Sequence, residues 1–144
     1  MDILNTSLLQ SFIKNKKRKS EELLPGLVKR LIKNSNSSVD GLRIPQGDDI
    51  SIPGFDGIVH AEKGTLYVEE GTSVWEFGTS SDAQRKIKDD CLKRTVNSLG
   101  VKKSEVTLCL VTTQILANKK TSITELENKY KKTGKKFAFM MQLC

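Results

Sequence analysis

The chain is sparing with the residues that most often advertise covalent chemistry or cross-linking: three cysteines, one histidine and one tryptophan in 144 residues. Cys91, Cys109 and Cys144 are far apart, contain no Cys-x-x-Cys pair and have only His60 to share a zinc site, so neither a zinc cluster nor a disulfide framework is expected. They read as reduced, mostly structural thiols. No run of 18 apolar residues occurs, which excludes a membrane-spanning helix. The N-terminus lacks the basic, apolar, small-residue order of a secretory signal, and the expected location is the cytoplasm, with no membrane partner.

What is present fits one compact domain over residues 1–144, with 37% hydrophobic and 28% charged positions. Cations exceed anions by 24 to 17, giving a net charge of +7. They gather in Lys14–Lys19, Lys102–Lys103, Lys119–Lys120 and Lys129–Lys136. Such clusters suit a polyanionic partner such as DNA, although a lysine-rich solvated surface has the same composition.

Apolar spacing predicts an N-terminal helix through Ile3, Leu4, Leu8, Leu9, Phe12 and Ile13 that ends in the basic run. A second helix is expected on the stripe Leu23, Leu24, Leu27, Val28, Leu31 and Ile32, with Pro25 tolerable only in its first turn. Strand character begins near Leu42–Ile44 and Asp49–Ile52, continues at Gly57–Ala61, and recurs at Ser73–Phe77. In that last run, alternation puts Val74 and Glu76 on one face and Trp75 and Phe77 on the other. Ser80–Asp82 can cap a helix from about Ala83 to Leu99; Val106–Val111 is a buried-type strand, Thr121–Lys132 a helix and Phe137–Met141 a final strand. The order of helix, three-strand meander, helix, strand, helix, strand predicts an α/β sandwich with a mixed central sheet flanked by helices. Because an apolar strand rarely closes a protein uncovered, the chain is expected to be the N-terminal domain of something longer.

Two carboxylates stand out against this background. Asp56 lies between Gly54 and Gly57, which allow a sharp turn and close approach of a ligand; an Asx turn is the plainer reading. Glu76 sits between Trp75 and Phe77 in a buried-type strand, where an unpaired charge costs several kcal/mol and needs either a metal or an ion-pair partner. A divalent cation held by both carboxylates and a strand carbonyl, with a lysine alongside, would make a phosphodiester-hydrolysing site. Lys86, Asp89, Asp90, Lys93 and Arg94 share one broad face of the following helix; Lys86 can fold back toward the strand end, or the face can be a solvent-exposed salt-bridge ladder. Glu22 is a possible outer ligand, and His60 shares the strand face of Asp56.

The segments Ile52–Val59, Gly71–Gly78 and Lys86–Thr95 resemble a restriction-endonuclease-like domain of the PD-(D/E)xK superfamily, found at the N-terminus of large bacterial phage-defence proteins; the likeness spans roughly Leu24 to Val111. The resemblance implies a Mg2+-dependent endonuclease, with Mn2+ as substitute. Asp56, Glu76 and the Phe77 carbonyl would bind the metal, and Lys86 would act as a displaced catalytic lysine, because Gly78 stands where the superfamily has its lysine. Lys88 is the fallback. Double-stranded DNA is the expected substrate, contacted by Lys16, Lys17, Arg18, Lys19, Lys88 and Arg94, and the implied partners are C-terminal regulatory regions and a second copy of the chain. The competing readings are a catalytically inactive nucleic-acid-binding module and an assembly domain of the same fold, in which Glu76 pairs with Arg94.

Overall fold

The computed structural model describes residues 17–35, 39–44, 54–65, 67–96, 102, 105–114, 121, 124–126, 128 and 140–142. The stretches Ile3–Ile13, Asp49–Ile52 and Lys129–Lys136 lie outside these, as does Lys16. In chain order the elements are α1 (Lys17–Ser35), β1 (Val39–Arg43), β2 (Gly57–Ala61), β3 (Gly71–Gly78), α2 (Ala83–Val96), β4 (Val106–Thr112) and β5 (Met140–Gln142). Thr121, Thr124, Glu125, Leu126 and Asn128 are helical as well.

Helix α1 forms on the apolar stripe but starts earlier than that stripe suggests. It is already helical at Lys17, so part of the basic run belongs to it, and Pro25 falls in its interior rather than its first turn. Proline removes one backbone hydrogen bond there. Burial of Leu24, Val28 and Ile32, at successive four-residue steps and no more than 4% exposed, opposes that loss by holding the helix against β1 and β3.

The sheet order is β1-β2-β3-β4-β5. The first three strands form an antiparallel meander; β4 runs parallel to β3 after the α2 crossover, and β5 runs parallel to β4. The fold is therefore α/β with a mixed sheet flanked by helices, as the element order predicts. One face of the sheet carries the main core: Val59, Ala61, Trp75, Cys109 and Val111 pack against α1 together with Ile44 and Val68. On the other, Leu110 meets Ala83, Ile87 and Cys91 of α2 and Leu126. Trp75 is fully buried, and its indole N–H donates to Ser73 Oγ at 2.9 Å, whose hydroxyl in turn reaches the Val59 carbonyl at 3.3 Å. Gly57 faces Trp75 across the β2–β3 ladder, where a Cβ would sit 2.9 Å from Ile44 Cγ1; this close approach needs glycine. No described helix is long and apolar enough to cross a membrane.

Truncating Ile32, 0% exposed, to alanine is expected to cost roughly 2–5 kcal/mol in urea denaturation. Leu23→Ala, on the solvent flank of the same helix, should change stability by about 0.5 kcal/mol or less.

Candidate functional site

Asp56 is positioned by the turn that leads into β2. Gly54 adopts φ 92°, a left-handed conformation that glycine accepts without strain, and the chain then passes Phe55 inward. The Asp56 amide donates to the Trp75 carbonyl at 2.9 Å, which continues the β2–β3 ladder by one step. Its side chain takes over from there: Asp56 Oδ2 accepts the Phe77 amide N–H at 2.8 Å. A carboxylate is thus fixed beside the Glu76–Phe77 peptide at the C-terminal end of β3, with Oδ1 free of that bond.

Glu76 points to the α2 side of the sheet and is only 6% exposed. Its Oε1 accepts a hydrogen bond from Arg94 Nε, in an ion pair whose two side chains are each 7% exposed. The Arg94 guanidinium also lies 4.7 Å from the centroid of the Phe55 ring, a cation–π contact that holds it from the other side. Burial, and after it the neighbouring Asp56 charge, raises the Glu76 carboxyl from 4.5 to about 7; Arg94 pulls it down and Asp90 adds a smaller upward push. Alternation along β3 holds as read from the sequence, with Trp75 and Glu76 on opposite faces.

Helix α2 supplies the remaining groups. Asp82 caps it, accepting the Arg85 N–H on Oδ1 at 3.1 Å. Lys86 lies across Gly78: a Cβ on that glycine would stand 3.3 Å from Lys86 Cγ and 4.0 Å from Cε. Its ammonium donates to Asp90 Oδ1 at 2.6 Å. The Asp90 side chain is 8% exposed, unlike the acid of an ordinary surface ladder, and the Lys86 side chain is 41% exposed. Glu76, Gly78, Lys86, Asp90 and Thr112 line a cavity of about 10 Å³, close to the space one water needs.

Asp56 stands close enough to Glu76 for its charge to act on that carboxyl, and Lys86 lines the same cavity as Glu76 and Gly78, while other expected site residues do not join them. Arg94, expected at a phosphate-contacting surface, is 8% exposed and taken up by Glu76 and Phe55, because the helix turn that carries it faces the sheet. His60 shares the face of Asp56 but is four residues further along β2, roughly 13 Å away at about 3.3 Å per residue, and its Nδ1 pairs with Thr72 Oγ1 at 3.0 Å. Lys88 is exposed on α2. Lys17, Arg18, Lys19 and Glu22 belong to α1, but their side chains lie outside the description. The ladder reading of Lys86 and Asp90 is right about the pair and wrong about its surroundings, since Asp90 is buried against the sheet. The repeat Lys86, Asp90, Arg94 at steps of four is the signal that could have revealed this, had the sheet-facing side of α2 been identified.

Because the folded carboxyl of Glu76 titrates above its unfolded value, its contribution to stability is complete below about pH 4.5 and disappears as pH rises through about 7. Chemical denaturation between pH 4.5 and 8 should show this decline in the wild type and a flatter profile in Glu76→Gln. Arg94→Leu leaves Glu76 buried without its counter-ion and should cost roughly 3–5 kcal/mol at pH 8. Its effect should shrink near pH 5, where Glu76 can take up a proton.

Comparison with protein-family models, with curated proteins and with solved structures finds no match to this chain.

Proposed function

We propose that this chain is a metal-dependent endonuclease domain of the PD-(D/E)xK type that hydrolyses phosphodiesters, with double-stranded DNA as the substrate. The observation that carries the reading is the meeting of Asp56 and Glu76 at one strand end, with Lys86 laid over Gly78 beside them. That glycine removes the lysine expected at its own position and leaves room for one from α2.

The donor set fits Mg2+. Asp56 Oδ1 is not used by the Phe77 amide bond and Glu76 Oε2 is not used by the Arg94 bond, so each carboxylate retains an oxygen. Among the described residues no group of three or more acidic, histidine or cysteine side chains is gathered for a metal, and two carboxylates with the Phe77 carbonyl suit an ion that keeps several waters. When bound, Mg2+ or Mn2+ would supply Lewis-acid polarisation of the phosphodiester and a more acidic attacking water. The chain's own contributions are distinct. Asp56, from the turn before β2, and Glu76, from β3, orient the reacting groups, Arg94 holds Glu76 in place, and the Lys86 ammonium stabilises negative charge that grows on the phosphate. A role in antiviral defence, within a longer polypeptide, is carried by the sequence resemblance.

The Glu76–Arg94 pair favours a second reading, an assembly domain whose basic surface meets an acidic partner and which neither binds nor cleaves DNA. Cleavage assays with Mg2+ and Mn2+ separate the two. Asp56→Ala and Lys86→Ala should each lower turnover by about 100-fold or more while DNA affinity measured in Ca2+ changes little. A folded Asp56→Ala chain that cleaves at the wild-type rate would sink the nuclease reading, wild-type binding without cleavage would make the fold an inactive nucleic-acid-binding module, and no DNA binding at low salt would support the assembly domain. If the basic clusters grip the phosphates, log–log plots of affinity against salt should be steep, each removed contact lowering the slope by about 0.9.

A further inference from the structure

Asp90 is a buried acid for which the proposed nuclease chemistry has no direct use. It cannot be explained as a solvated helix residue, since its side chain is 8% exposed, and it is not gathered with other acids into a metal-holding group among the described residues. Its Oδ1 receives the Lys86 ammonium at 2.6 Å, one helical turn away. Lys86 has a long side chain with several rotatable bonds, and at 41% exposure it would otherwise sample solvent. Two features restrict it: Gly78 gives its Cγ and Cε a surface to lie on, and Asp90 fixes its charged end beside the cavity that Glu76 lines. A lysine borne on the strand itself would be placed by the sheet. One arriving from a helix has no such constraint, and Asp90 provides it.

We infer that Asp90 is a positioning residue that holds the Lys86 ammonium at the strand end for the attacked phosphate, acting only through Lys86. The inference rests on the nuclease reading above. It differs from a structural role in a way that can be measured, because a residue acting through Lys86 has nothing left to do once Lys86 is gone. Asp90→Asn preserves shape and removes the charge that anchors the ammonium.

The experiment is a double-mutant cycle of D90N and K86A, read by single-turnover DNA cleavage with Mn2+, alongside acetylation of the metal-free protein followed residue by residue by mass spectrometry. D90N is expected to lower the cleavage rate about 10- to 100-fold with little change in the protein concentration needed for half-maximal rate. In the K86A background the same substitution should change the rate by less than about twofold, as expected when the coupled partner is absent. Lys86 should be acetylated several-fold faster in D90N than in the wild type, with exposed Lys88 as the unchanged reference. D90E, which keeps the charge on a longer arm, should recover part of the rate. Equal losses from D90N in both backgrounds, or equal Lys86 acetylation in wild type and D90N, would overturn the inference while leaving the nuclease reading standing. A wild-type chain that cleaves no DNA with either metal would remove that reading and the inference with it, even if the acetylation rates differ as expected.

Discussion

A carboxylate buried in the face of a β-sheet has to be compensated, and at Glu76 the compensation organises everything around it. The strand that carries it has Trp75 at the centre of the main core on one side, so β3 cannot rotate to release Glu76 into water without exposing that indole. Arg94 answers the charge from α2, and Phe55 answers Arg94 from the turn before β2. The consequence is a closed chain of contacts from turn to helix to strand. Asp56 completes it by accepting the Phe77 N–H, which ties the turn back to β3 just after Glu76. Removing Glu76 or Arg94 leaves its partner a buried charge without a counter-ion, the circumstance in which single substitutions are most costly.

The same contacts add to the small apolar packing surface of α2. Ala83, Ile87 and Cys91 give it a narrow apolar stripe against Leu110 and Leu126, and Leu92 on its outer side is 52% exposed. Lys86, Asp90 and Arg94 extend that contact with a ladder of alternating sign, two of whose three members are buried. The Arg94–Glu76 ion pair joins the last turn of the helix to β3.

Much of this arrangement is legible in the sequence. Period-two alternation in Ser73–Phe77 separates Trp75 from Glu76 correctly, the steps of four in Leu24, Val28 and Ile32 identify the buried stripe of α1, and the alternation of helix and strand yields a mixed sheet with crossovers. Local signals fail where a tertiary contact decides. Pro25 suggests a helix start, yet burial of the stripe carries α1 straight through it. Arg94 carries two expectations, a phosphate-contacting surface cation and the ion-pair partner of Glu76, and the structure bears out the second; Asp90 passes for half of a surface pair because composition cannot say which side of α2 meets the sheet. His60 is on the right face of β2 but at the wrong end, since alternation specifies a face and leaves distance along the strand to be read separately.

Charge accounting links the site's present state to the reading proposed for it. Lys86 pairs with Asp90 and Arg94 with Glu76, while the Asp56 charge is left to act on Glu76, three acids against two bases, so that Glu76 is where the imbalance is felt. Arg94 is not sufficient to cancel it: its pull on Glu76 is outweighed by burial and by the Asp56 charge together. A divalent cation would turn the surplus of one negative charge into a surplus of one positive, and a phosphodiester, with its single negative charge, would then bring the cluster to neutrality. On this reading Arg94 and Glu76 form an ion pair that is incomplete by design of its surroundings, stable enough to place the carboxylate and too weak to satisfy it.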